Sequence, residues 1–217
     1  MKLFTYQPPQ IPWLDIRYQD RDIVVLNKPS GLLSNPGRAE NTYDCAINRL
    51  LNYAPDAILV HRLDCATSGI MVFALNKKAE SNIKTQFQNR LTEKYYVAEV
   101  IGQVSQDEGV IELGMMADKA NPPLQRLDES GKAAKTYYQV LERRVNTTLV
   151  KLKPITGRTH QLRLHMKALG HTIIGDDFYG NDTVIAASPR LNLHAQSLSF
   201  THPYSNKPLT FTSQHPF

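Results

Sequence analysis

Apolar residues along this chain fall into short runs separated by polar breaks, and two of the strongest runs enclose its most densely polar segment. Ala57-Ile58-Leu59-Val60 and Ile70-Met71-Val72-Phe73-Ala74-Leu75 read as strands from their β-branched and apolar content. Between them lies His61-Arg62-Leu63-Asp64-Cys65-Ala66-Thr67-Ser68-Gly69, which the pattern places in the turn joining the strands. Loops held by rigid strands are where catalytic side chains tend to gather. Downstream, Asn76 predicts the cap of a helix running to about residue 90, with Ile83 and Phe87 on one apolar stripe, followed by a strand over 95–101. Further strands are predicted over 136–141 and 148–152, then a helix over 159–169 with Thr159 as cap and Gly170 as terminator. Turn formers at 34–41 and 116–132 mark loops at the rim of a cleft. With no internal repeat or low-complexity segment, the pattern supports an α+β domain with a mixed sheet.

Composition narrows the class of partner. At 217 residues and 41% hydrophobic, the chain can bury a substantial core as one domain or two closely packed lobes. No apolar stretch approaches the roughly 18 residues that span a membrane, and the N-terminus lacks an apolar signal core, so a cytoplasmic protein without a membrane partner is expected. Two cysteines, Cys45 and Cys65, are too few for a disulfide framework or a cysteine-based zinc site. Cys65 reads as a small buried filler, since nothing near it in sequence supplies the base a thiolate nucleophile needs. The net charge of +5 and pI of about 9.1 suit a polyanion. Its distribution says more: the first 130 residues carry 14 Lys/Arg against 16 Asp/Glu, the remainder 11 against 4, in a chain with 25 and 20 in all. That asymmetry predicts one basic face able to hold a polyanion by its phosphates, with affinity falling as salt rises.

Taken alone, His61-Arg62-Leu63-Asp64 fits either a catalytic turn or a surface turn held by a local ion pair. Three further segments bear on the choice: Ile23-Val24-Val25-Leu26-Asn27-Lys28-Pro29-Ser30-Gly31-Leu32, Lys94-Tyr95-Tyr96-Val97-Ala98, and Gly157-Arg158-Thr159-His160-Gln161-Leu162-Arg163-Leu164-His165. Together and in this order, the four resemble the signature motifs of the RluA family of RNA pseudouridine synthases. The resemblance implies an α+β fold with a long, mixed, mostly antiparallel central sheet flanked by helices and a catalytic cleft across its middle. It also implies a single catalytic domain over 1–217, monomeric, with no separate N-terminal RNA-binding domain, because only 27 residues precede Lys28. The chain ends, Tyr6-Gln7-Pro8-Pro9 and Leu193-His194-Ala195 onward, resemble the family's short dual-substrate member, which acts on 23S rRNA and on the tRNA anticodon loop.

The same resemblance distributes roles. Asp64 is the expected catalytic carboxylate, as nucleophile or as base at the sugar. An aspartate in a desolvated pocket needs a nearby positive charge to stay ionised, and Arg163 is implied as its partner. Extruding a base from a stem or loop leaves a space that Arg62 is placed to fill. Tyr96 is expected to stack on the flipped uracil and take part in proton transfer, Tyr95 facing the other way on an alternating strand. Leu162 is expected as an apolar floor, and His61 and Lys28 as further RNA-side contacts, with Lys28 and Pro29 shaping the pocket; a purely structural Lys-Pro turn stays open. A kinase catalytic loop is excluded by the leucine inserted before Asp64 and by the lack of a Gly-rich nucleotide loop. A metal on His160 and His165 is excluded because their helical spacing separates them by about 140°. No cofactor, nucleotide or metal is expected, and a noncatalytic RNA-binding module is the competing reading.

Overall fold

The computed structural model describes residues 6–37 and 39–217. In chain order its elements are β1 (Ile16–Gln19), β2 (Ile23–Lys28), α1 (Ala46–Leu51), β3 (Ile58–Leu59), β4 (Ser68–Ala74), α2 (Lys77–Gln88) and β5 (Glu93–Ile101). They continue with β6 (Glu108–Ala117), β7 (Gln125–Leu127), β8 (Lys132–Arg143), β9 (Thr147–Pro154), α3 (Gln161–Ala168), α4 (Asp182–Ala186), β10 (Leu193–Thr201) and β11 (Pro208–Thr212). The class is α+β, with few helices against mostly antiparallel strands, as expected. The chain forms two compact units, one from 1–93 with 195–214, the other from 94–194 with 215–217.

In the first unit, β1 pairs β2, β2 pairs β4, β3 pairs β4 and β10 pairs β11, all antiparallel. β4 is buried along its whole length, and β2 at all but one position, which is why both read as near-continuous apolar runs rather than alternating ones. Ile23, Val25, Ile70 and Val72 form one core with Ala79 and Ile83 of α2 and with Leu198 and Phe200 of β10. The helix starts where its sequence says: the Asn76 side chain accepts the Ala79 N–H at 2.9 Å, satisfying an otherwise orphaned donor of the first turn. Gly69 sits at φ +122°, and a Cβ there would fall 2.3 Å from the Ala195 carbonyl oxygen, so no side chain fits at the start of β4.

The second unit is an antiparallel meander in which β5 pairs β9, β9 pairs β8, β8 pairs β6 and β6 pairs β7. Helix α3 lies against it, burying Leu164 with Met115, Ala134 and Tyr179. Two expectations are corrected here. Residues 116–132 are not one long loop: β6 continues to Ala117, and Gln125–Leu127 returns as β7, the turn being closed by Asp118 bonding Asn121. Nor does Thr159 cap α3. The helix begins at Gln161, after His160 in the left-handed conformation at φ 55°. That strained turn persists because the His160 ring lies 2.8 Å from the Tyr179 hydroxyl, and because Gln161 is anchored by Thr156 Oγ1, the Arg158 N–H, the Lys135 carbonyl and Thr136 Oγ1.

Candidate active site

The loop carrying Asp64 is held almost entirely through its backbone carbonyls. Ser34 Oγ donates to the Leu63 carbonyl at 2.7 Å and accepts the Leu63 N–H at 3.0 Å. The Thr67 N–H donates to the Asp64 carbonyl. Cys65 O receives the Gly31 N–H at 2.9 Å and Lys28 Nζ at 3.1 Å, while Ser30 Oγ donates to Ala66 O at 2.6 Å. Four consecutive carbonyls are thus bonded, three of them by the segment that follows β2. Within its own unit the half-buried Asp64 carboxylate takes part in none of this, so the loop is fixed without engaging the acid.

Lys28 explains why a lysine stands at the end of an apolar strand. It is 1% exposed, and Nζ donates to Pro29 O, Leu32 O and Cys65 O, at 3.0, 2.6 and 3.1 Å. A buried ammonium surrounded by carbonyls clamps the two loops together instead of presenting its charge at the surface. His61 is also built in: its Nε2 accepts the Val72 N–H at 3.0 Å, and its ring stacks on Phe87 with centroids 4.6 Å apart. The ring takes over where the short β3 stops pairing with β4. Arg62, in contrast, is exposed. Cys65 is half-buried and works through its carbonyl, which corrects the reading of a buried filler.

In the second unit Tyr96 stands opposite Leu152, whose other neighbour is Tyr138 on β8. Alternation puts these residues, with Thr136 and Ala134, on the side of the sheet that α3 covers. Tyr95 points to the opposite side, as predicted. Leu162 and Arg163 open α3, 7% and 2% exposed. Arg163 makes a bidentate pair with Asp176, Nε to Oδ2 at 2.9 Å and Nη2 to Oδ1 at 2.6 Å, and Nη2 also reaches Asp177 at 2.9 Å. Its guanidinium lies 4.5 Å from the Phe178 ring centroid. Asp176 is fully buried and receives the N–H groups of Phe178 and Tyr179 as well.

Asp176 is the residue that sequence reasoning missed. Its signal was present in Gly175-Asp176-Asp177-Phe178-Tyr179-Gly180, a carboxylate pair between glycines and aromatics, but nothing local tied it to Arg163 thirteen positions away. Gly175 marks the tightness of this turn, because a Cβ there would fall 1.8 Å from the Arg190 carbonyl oxygen. His160 and His165 are core histidines: burial lowers the His165 pKa to about 4 and keeps the ring neutral. Among the described residues, Asp20, Asp22 and His202 each bring a ligand-type atom within 4.8 Å of the others. Their atoms serve a hydrogen-bond network instead. His202 Nδ1 accepts from Tyr204 and Ser205, Nε2 faces Asp20, and Asp22 Oδ1 accepts from Asn76.

Comparison with known proteins fits this arrangement. A family model described as RNA pseudouridylate synthase matches residues 22–168, which includes all four motifs apart from the ends of the chain. The chain is 50% identical over 219 residues to the dual-specificity RNA pseudouridine synthase RluA of Escherichia coli K12, covering all of both chains. It is 51% identical over 212 residues to the RluA of Vibrio parahaemolyticus, covering 95% of this chain and 85% of that one. Among solved structures it resembles human RNA pseudouridylate synthase domain containing 1, with a TM-score of 0.82 and 29% identity over 97% of this chain and 87% of the other. The family model, which spans the four motifs, and relatives about 50% identical over most of their length define a pseudouridine synthase. More narrowly, the chain belongs to the RluA family, isomerases that form pseudouridine in RNA. No helix among the described residues is long and apolar enough to cross a membrane.

Proposed function

We propose that this chain acts on two RNAs, a hairpin loop of 23S rRNA and the tRNA anticodon loop, as a cytoplasmic monomer with one catalytic domain. The dual-specificity name of the relatives that it matches over nearly their full length supports the pair of substrates. The observation that carries the chemistry is the Asp64 loop, whose four bonded carbonyls hold a carboxylate in place without engaging it inside its own unit. Pseudouridine formation breaks a C–N glycosidic bond, turns the uracil and rejoins it through carbon. Asp64 serves this as the ionised carboxylate at the reacting nucleotide, either attacking it or taking a proton from the sugar. The cationic role in the chemistry falls to Arg163, whose guanidinium Asp176 holds in a fixed orientation.

Extruding the uridine costs a few kcal/mol of unstacking. Arg62, exposed two residues before Asp64, enters the vacated position. Tyr96 stacks on the flipped base and its hydroxyl assists proton transfer at the product carbon, with Leu162 as the apolar floor. Lys28 and His61 contribute by holding the loops. No residue in this scheme requires a cofactor, so isomerisation is expected to proceed in EDTA, provided the RNA folds without magnesium. The test uses an isolated anticodon stem-loop and an isolated rRNA hairpin with the same short loop sequence. Both are expected to gain pseudouridine, each dependent on Asp64. If only one parent RNA is ever modified, dual specificity is wrong.

A further inference from the structure

The second unit carries a sheet face that the scheme above does not use, half-buried at Tyr95, Lys151 and Lys153 and exposed at Tyr137. Strand register places Tyr95, Lys151, Lys153 and Tyr137 together on the side opposite Tyr96, Leu152 and Tyr138. Outward sheet faces are commonly mixed in charge. Here cations and aromatic rings are paired: Lys151 and Lys153 Nζ lie 4.1 and 5.2 Å from the Tyr95 ring centroid, and Lys135 Nζ lies 5.4 Å from that of Tyr137. Tyr137 is 44% exposed, and Lys135 also pairs with Glu112 at 3.2 Å. Two apart on one strand, Lys151 and Lys153 are spaced by about 7 Å, enough for each to meet a different phosphate. The patch sits at the end of the strands where the chain leaves β9. From there it passes the exposed Arg158, which adds one more cation near this end of the sheet.

We propose that this face binds single-stranded RNA flanking the target hairpin, lysines meeting phosphates and the two tyrosines offering stacking surfaces to bases. The inference rests on the reading of this chain as an enzyme acting on RNA hairpins. Lysine–phosphate contact and stacking on tyrosine are both sequence-tolerant, so the face adds affinity for RNAs of unrelated flanking sequence. That is what an enzyme with two different substrates requires from contacts outside the loop.

The experiment compares two labelled RNAs by fluorescence anisotropy: the hairpin alone, and the hairpin with a single-stranded extension of about eight nucleotides. For the unaltered protein the extension is expected to tighten binding about tenfold and to steepen the salt dependence by a slope of about 2, near 0.7 for each of three lysines. The triple variant Lys151→Gln/Lys153→Gln/Tyr137→Ala is expected to keep hairpin affinity and turnover while losing the gain from the extension. No gain from the extension in the unaltered protein, or a gain that survives in the variant, overturns the proposal. So does a variant that loses hairpin binding to the same degree as extension binding. Crosslinking needs no variant: 4-thiouridine placed in the extension should crosslink to Tyr95 or Tyr137, and crosslinks confined to other residues would refute the site. Failure of the underlying reading has its own signature, a bound hairpin in which no pseudouridine ever forms.

Discussion

The Asp64 loop and the Arg163 helix hold their key side chains by opposite means. The aspartate is positioned through backbone carbonyls bonded to serines, a glycine N–H and one buried lysine, and its carboxylate is not part of that support within its unit. The arginine is positioned through its own charged group, a bidentate pair with a fully buried aspartate. In the first case the carboxylate can be altered while the structure stays. In the second, the guanidinium is itself the structural contact, and removing it leaves a buried carboxylate without its cation.

Substitution at the two sites should expose this difference, the largest effect coming from Asp64→Asn. Single-turnover product formation is expected to fall about a thousandfold or more, with stability within roughly 0.5 kcal/mol of the unaltered protein. Turnover near the original rate would remove Asp64 from the chemistry, and a large drop in melting temperature would mean that the carboxylate supports the loop after all. Arg163→Met should lose both activity and about 3–5 kcal/mol of stability, read from urea denaturation. Adding Asp176→Leu to that variant should restore much of the stability and none of the activity. If stability fails to return, Asp176 is not the reason for the loss.

Lys28→Met tests the clamp between the two loops. It takes the ammonium from Pro29 O, Leu32 O and Cys65 O, the last of which keeps the Gly31 N–H, with an expected cost of about 2–4 kcal/mol and a fall in rate although Asp64 is untouched. Unchanged rate at reduced stability would show that the Asp64 loop keeps its position without the lysine.

The smallest effect at neutral pH belongs to His165, on the same helix as Arg163. Its folded pKa of about 4 lies below the ordinary 6.5, so the folded state takes up its proton later than the unfolded chain does. The stability is complete above pH 6.5 and is lost progressively as pH falls toward 4, by roughly 3 kcal/mol. His165→Leu should flatten that part of the melting-temperature profile and leave pH 7.5 stability equal or higher, since neither ring nitrogen has a hydrogen-bond partner among the described residues. A profile unchanged by the substitution would show that other groups control acid unfolding.

What the sequence determined by itself was local. The run at 70–75 announced β4 because burial on both faces leaves only apolar residues acceptable, and the run at 57–60 announced the short, half-buried β3. Asn76 announced α2 because an N-cap needs a side-chain acceptor within three residues. The four motifs carried family and candidate chemistry, because catalytic groups must be of particular residue types. Tertiary structure alone decided the rest. It set α3 to begin after a left-handed His160, since the partner of that ring is Tyr179, and it made Lys28 a clamp, since its acceptors include a carbonyl 37 positions away. It also joined Arg163 to Asp176 across a turn that only Gly175 can make. Spacing along a chain cannot report such pairs, because the energy of a buried charge depends on which groups folding brings against it.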